Sequence, residues 1–286
     1  MTQALLEKKI LLCPVCRAPL SLSEDGRGLR CEGKRIHTFD LSKSGYVNLS
    51  LKYREGDTLD ACRSRHAFFE TDPYSILRQN LSAAISDLEL PEGIILDAGC
   101  GEGYYTNDLA GAFTDRQVLG ADLSKFALDI ASKEAKKTAV ANVSYAVCNL
   151  TELPLRDASC ACLCNIFAPC CESEFARVLA DGGYLVFVYA GPEHLWGLKK
   201  ALYDEVYVNE KRQDEPKGLK EISHKRVRET ITVRSPHIKE LFAMTPYYFH
   251  TSPDRAEKLY LLDELDTVVD FEIKIFRKES SCRPSL

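Results

Sequence analysis

The segment Leu96-Asp97-Ala98-Gly99-Cys100-Gly101-Glu102-Gly103 limits the fold of this 286-residue chain more strongly than any other. Three glycines in five positions let the backbone adopt conformations that a β-carbon penalises, and let it pass close to a ligand. Ile94-Ile95-Leu96 ahead of them reads as a buried strand, and residues 104–113 behind them as a helix. A strand, a glycine turn and a helix in that order open a doubly wound α/β sheet with a ligand at the turn. Gly-x-Gly-x-Gly is also found in many nucleotide sites and in plain structural turns, so neighbouring residues must say which ligand it holds.

The pattern continues in the same manner. Further strands are predicted at 117–121, 143–148, 161–166 and 184–189, with a helix over 125–137. Residues 227–233 and 269–276 read as two more strands flanking a helix near 238–244. Seven strands with helices between them make a Rossmann-like, seven-stranded doubly wound sheet over residues 92–286. Residues 46–91 form a connecting segment in which 61–70 and 74–88 have helical spacing, Ile76, Leu77, Leu81, Ile85 and Leu88 falling on one face.

The charges near the glycine turn select the ligand class. Asp97 at the strand end and Glu102 inside the loop would repel a pyrophosphate and suit a cation, which points to the sulfonium and amino group of S-adenosylmethionine. The second strand ends at Asp122-Leu123, where a carboxylate accepts both ribose hydroxyls of an adenosine; the alternative is that Asp122 caps the helix beginning near Ser124. Asn149, after the third strand, is placed either to hold the adenine edge or simply to make a turn. Asp157 reads as a solvated turn residue. The candidate cofactor set is therefore Asp97, Gly99, Cys100, Gly101, Glu102, Gly103, Asp122, Leu123 and Asn149.

Residues 1–45 read as a separate small domain. Between Cys13 and Asp40 the chain is rich in Cys, Gly, Ser and Arg and too poor in apolar runs to bury a core unaided. Cys13-x2-Cys16, then fourteen residues to Cys31 and five to His37, offers four soft ligands for a tetrahedral Zn2+ that would supply the missing folding energy. The chain has twelve cysteines but shows no export signal, so metal binding or core packing is expected of them rather than disulfides, in a cytoplasmic protein without membrane spans. The net charge of −5 is uneven: residues 1–66 carry +4 and the remainder −9, so the front is the expected nucleic-acid side.

The zinc knuckle, Ser44-Gly45-Tyr46-Val47-Asn48-Leu49, Gly56-Asp57, Gly99 to Gly103 followed by Tyr104-Tyr105-Thr106, and Ala168-Pro169-Cys170 occur in an order that resembles the 23S ribosomal RNA guanine-N1-methyltransferases of the RlmA type, over nearly the whole chain. The resemblance implies a class I methyltransferase that moves a methyl group from S-adenosylmethionine to guanine N1 in a hairpin loop of 23S ribosomal RNA. It also implies that Tyr74 and His194 touch the cofactor, where the residues alone read as structural. The Cys31 to His37 spacing is longer than the short form associated with some members, which singles out His37 among the four ligands. A homodimer is left open.

Guanine N1 carries a proton that must be handled during transfer. Asn165, at the end of the fourth strand, is placed to position the base but is a poor proton acceptor, so no catalytic residue is assigned. Three rival readings stay open: a cytosine-C5 RNA methyltransferase using Cys170 of Pro169-Cys170, a small-molecule methyltransferase, and a non-catalytic RNA-binding assembly factor. Ordinary packing is the alternative for Cys170, which follows the alternating Cys160, Cys162 and Cys164.

Overall fold

A computed structural model describes residues 1–51, 56–210 and 216–279. The charged Lys52-Tyr53-Arg54-Glu55 stretch of the connecting segment lies outside the described residues. The chain begins with α1 (Gln3–Glu7), then β1 (Leu20–Leu22), β2 (Gly28–Cys31), β3 (Thr38–Asp40) and β4 (Val47–Asn48). Two helices follow, α2 (Leu59–Phe69) and α3 (Ser75–Ser86). The alternating part comprises β5 (Ile94–Ala98), α4 (Tyr104–Ala112), β6 (Val118–Asp122), α5 (Lys125–Lys137), β7 (Val143–Val147) and β8 (Cys160–Ile166). It continues with α6 (Glu172–Val178), β9 (Leu179–Ala190), α7 (Trp196–Leu202), β10 (Leu219–Arg234), α8 (His237–Ala243), α9 (Pro253–Tyr260) and β11 (Glu264–Lys278).

β1, β2 and β3 form a small antiparallel sheet, and the other strands form a second sheet in the order β10-β11-β9-β8-β5-β6-β7-β4. The seven expected strands are all present. Val47–Asn48 adds an eighth, parallel to β7 at the far edge. β5 pairs with β6 on one side and β8 on the other, all parallel, so the chain winds outward through β7 and returns beside β5. That reversal opens a crevice at the carboxyl ends of the strands, where ligands bind in this architecture. β10 and β11 run antiparallel and close the other edge.

Local chemistry sets the helix ends. The Thr58 side chain accepts from Ala61 N to start α2, and the Ser124 side chain accepts from Ala127 N to start α5. Lys136 and Lys137 stand in the last turn of α5, where the helix dipole favours cations.

The strands of β5 and β8 are buried throughout because both faces of the sheet are covered. One face packs Leu77, Leu81 and Ile85 of α3 against α4 and α5. The other packs Leu5, Leu11, Leu20 and Leu29 of the N-terminal segment against Leu96, Leu119 and Phe187 of the sheet. The small N-terminal sheet is thus one layer of the main core. Leu12 N donates to the carbonyl of Pro154 at 2.8 Å, and Arg17 donates to those of Leu153 and Leu155 at 3.0 Å each.

Candidate active site and metal centre

A cavity of about 940 Å³ opens at the sheet's reversal point. Asp97, Gly99, Cys100, Gly101, Glu102, Asp122, Leu123 and Asn149 all border it, and so do Tyr74 and His194 from distant parts of the chain. Gly99 has φ 89°, and a β-carbon there would lie 2.4 Å from Cβ of Ala168, so only glycine lets the loop press against the segment after β8. Gly103 is placed differently. It stands outside the wall, at the start of α4, where a β-carbon would come within 2.7 Å of the Tyr145 hydroxyl and 2.8 Å of Ala131 Cβ. Its role is helix packing.

The carboxylates differ in how much of their charge is already answered. Asp97 is buried; the Thr106 hydroxyl donates to Oδ2 at 2.6 Å, and Oδ1 has no hydrogen-bond partner. Burial pushes its pKa up to about 7, against the Thr106 bond and with help from the charge of Asp122. Asp122 accepts from Ser124 N at Oδ1 (2.8 Å) and from Gly101 N at Oδ2 (3.0 Å), so it ties the glycine loop to the end of β6. Ser124, not Asp122, caps α5.

Glu102 departs from the sequence expectation. Its Oε2 lies 2.6 Å from Arg65 Nε, so its charge is answered from α2, and a cationic ligand would meet Asp97 as the unpaired carboxylate. Asn149 Oδ1 accepts from Thr151 N at 3.2 Å, a turn bond that leaves its amide nitrogen at the cavity wall. Asp157 is outside the cavity, exposed and ion-paired with Arg177 at 2.5 Å.

Tyr74 and His194 meet at the cavity, the hydroxyl lying 3.4 Å from Nε2. Nδ1 of His194 accepts from Asp270 N at 3.2 Å. Burial pulls the imidazole down to about 4, against the attraction of Asp270, so the ring is neutral with its proton on Nε2. Asn165 is a brace and not a wall residue: its amide donates to the carbonyls of Ala98 (3.1 Å) and Pro169 (3.2 Å).

Sequence reasoning missed two residues here, Arg65 and Phe167, and named Asp57 only as part of the Gly56-Asp57 motif. Arg65 and Asp57 clasp each other at 2.6 Å beside the glycine loop. Phe167 adopts a left-handed φ of 54°, is 44% exposed on the wall, and stands near-parallel to the His194 ring at 6.1 Å. No spacing marks Arg65 or Phe167; the fold brings each against residues distant in the chain.

The four predicted metal ligands converge, their ligand atoms all lying within 4.8 Å of one another. Cys16 Sγ is 3.7 Å from Cys31 Sγ, and His37 Nδ1 is 3.6 Å from Cys13 Sγ and 3.4 Å from Cys31 Sγ. Tetrahedral Zn2+ with its usual bond lengths requires separations of about 3.5–3.8 Å between such ligands, so the donor set fits zinc. His37 completes the set despite its longer spacing.

Residues 11–50 match the family described as RlmA, N-terminal, a zinc ribbon, and residues 95–183 match the methyltransferase domain family. A 23S rRNA (guanine(748)-N(1))-methyltransferase of Streptomyces fradiae is 31% identical over 291 residues, covering 96% of this chain and 97% of the relative. The chain belongs to the 23S ribosomal RNA guanine-N1-methyltransferase family. A Bacillus subtilis relative, YxjB, provisionally named for the same activity, is 30% identical over 93% of this chain and 96% of its own length. A third, from Micromonospora griseorubida and named in the same provisional way, is 30% identical over 86% of this chain and 88% of its own.

Within this guanine-N1-methyltransferase family member, the Pro169-Cys170 pair does not put its thiol on the cavity wall; the neighbouring Cys171 borders the cavity instead. Burial, and the charge of Glu174, raise the Cys171 thiol further from its nucleophilic thiolate form. Among the described residues no helix is long and apolar enough to cross a membrane.

Proposed function

We propose that this chain transfers the methyl group of S-adenosylmethionine to N1 of a guanine in a hairpin loop of 23S ribosomal RNA. One observation carries the reading of the cavity: the buried, unpartnered Oδ1 of Asp97 stands one strand from Asp122, both on the same wall. Asp97 suits the cofactor's ammonium group. Asp122 keeps a lone pair on each oxygen beyond the backbone N–H it already accepts, which suits a ribose diol. Asn149 and Leu123 then stand at the adenine end. Gly99, Cys100 and Gly101 line the cofactor's length, with Glu102 acting through Arg65, and Tyr74 and His194 complete the site.

Bound there, S-adenosylmethionine supplies an electrophilic methyl group on sulfur. The chain's own contribution is position, since in-line approach of the acceptor nitrogen accounts for much of the rate. Guanine N1 lies on the pairing edge, so the base must be unpaired to reach it, which favours a loop. Phe167 presents a half-exposed ring face on which such a base stacks. His194 is not poised to take the N1 proton, because its Nδ1 lone pair already accepts Asp270 N–H. Residues 1–45 serve as the RNA-recognition domain in this reading.

Incubation with tritiated S-adenosylmethionine and 23S ribosomal RNA lacking the modification tests the proposal. Label should enter the RNA and not small amine or hydroxyl acceptors. Asp122→Ala should raise the KM for the cofactor while Asp157→Ala leaves it unchanged. Cofactor binding without any transfer to RNA would favour the assembly-factor reading.

A further inference from the structure

Asp270, in the middle of β11, is fully buried and does not border the cavity. It nevertheless grips the turn 191–194 that carries His194, with three hydrogen bonds. Gly191 N donates to its carbonyl at 2.8 Å, Glu193 N donates to its Oδ2 at 2.8 Å, and its own N–H donates to Nδ1 of His194 at 3.2 Å. A β-carbon at Gly191 would lie 2.5 Å from the Asp270 carboxyl carbon, so the turn can close on this carboxylate only because residue 191 is glycine.

A buried carboxylate is costly unless it is paired. Arg226 supplies the pair from β10, with Nε 2.7 Å from Oδ1 and Nη2 2.7 Å from Oδ2. Burial would raise the Asp270 pKa, but Arg226 and Glu193 N–H outweigh it and hold the group ionised. Joining β10 to β11 needs no such arrangement: the two strands already pair along their whole length.

We infer that Asp270, neutralised by Arg226, is the positioning residue that sets the tautomer and the aim of His194 at the cavity. Because Nδ1 accepts a backbone N–H, the ring proton resides on Nε2 and faces the Tyr74 hydroxyl. The Tyr74 proton is thereby left to donate into the cavity, to an anionic acceptor such as the carboxylate of the cofactor's amino-acid end. The inference rests on reading that cavity as the cofactor site.

The test combines a spectroscopic readout with kinetics on the full, zinc-loaded chain. With 15N-labelled histidine, and His194→Gln to assign the signal, wild-type His194 should show an unprotonated Nδ1 and a protonated Nε2, unchanged across the neutral pH range. Arg226→Ala should mix the tautomers. It should also raise the KM for S-adenosylmethionine about tenfold, the effect of losing one hydrogen bond that involves a charged group, with kcat and the KM for RNA little changed. Arg226→Lys should recover part of the loss.

A wild-type His194 protonated on Nδ1 would overturn the inference, even if Arg226→Ala failed to fold. So would an Arg226→Ala variant with an unaltered His194 signal and unaltered KM. Failure of the wild-type chain to bind S-adenosylmethionine in calorimetry would instead overturn the cavity reading, and the tautomer measurement would still decide what Asp270 does.

Discussion

Arg65 Nε lies 2.6 Å from Oε2 of Glu102, so helix α2 is fastened to the glycine loop by an ion pair that is largely buried on the Glu102 side. The other Glu102 oxygen is buried without a partner. Removing the arginine strands the carboxylate, which typically costs more than the pair itself is worth. Arg65→Met should destabilise the chain by roughly 3 kcal/mol, read from the urea midpoint. Adding Glu102→Gln should return most of that loss, because the stranded charge is then gone. Equal midpoints for Arg65→Met and wild type would show that the pair is not coupled to folding.

Asp97 makes cofactor binding depend on pH, with a definite sign. Its ordinary pKa near 4 is raised to about 7 by burial. Below the ordinary value it is neutral in folded and unfolded chains alike. As pH rises toward 7 only the unfolded chain ionises it, so its contribution to the stability of the cofactor-free chain falls through that window. A cationic ligand acts in the opposite sense. Affinity for S-adenosylmethionine should rise with pH up to about 7, with uptake of the ligand releasing a proton. Calorimetry in two buffers of different ionisation heat measures that proton. Asp97→Asn should bind weakly and without the pH dependence.

Loss of zinc should be felt in two places. From sequence, a Cys13→Ser, Cys16→Ser variant should lose its zinc and bind the RNA hairpin far more weakly while keeping nearly normal cofactor binding. The structure makes that separation incomplete, because the Leu12 and Arg17 backbone and side-chain bonds hold residues 153–155, shortly after Asn149. RNA affinity should fall about tenfold or more with a shallower salt slope, and cofactor affinity by a smaller factor. Filter binding across a salt series, calorimetry and atomic absorption on one preparation give all three quantities. Unchanged RNA affinity and salt slope would leave the zinc layer as a structural cap.

The legible parts of the fold were those whose signal is local. The run Ile94-Ile95-Leu96 before the glycine turn, Ser124 ahead of α5 and the paired cysteines around the knuckle each carry their own chemistry. β10 was only half legible: Val227 to Val233 alternates, but Lys220 to Arg226 is charged and exposed and becomes a strand through pairing with β11. α7 and α9 were missed because they are short, α7 packing on β11 and α9 on α7 and α8. Within the site, residues on the glycine turn and strand ends could be read from spacing. Arg65, Phe167 and Asp270 could not, since their importance comes from contacts with residues distant in the chain.

Mapping the methylated atom tests the central claim most directly. Tritium-labelled 23S ribosomal RNA from the reaction can be digested and its nucleosides separated, and primer extension on the same RNA stops at a base methylated on its pairing edge. A single guanine carrying the label at N1, in a loop, is the predicted result, and Cys170→Ser should label it as well as the wild type does. Label on cytosine C5 that disappears in Cys170→Ser would contradict it, as would label at a guanine position other than N1.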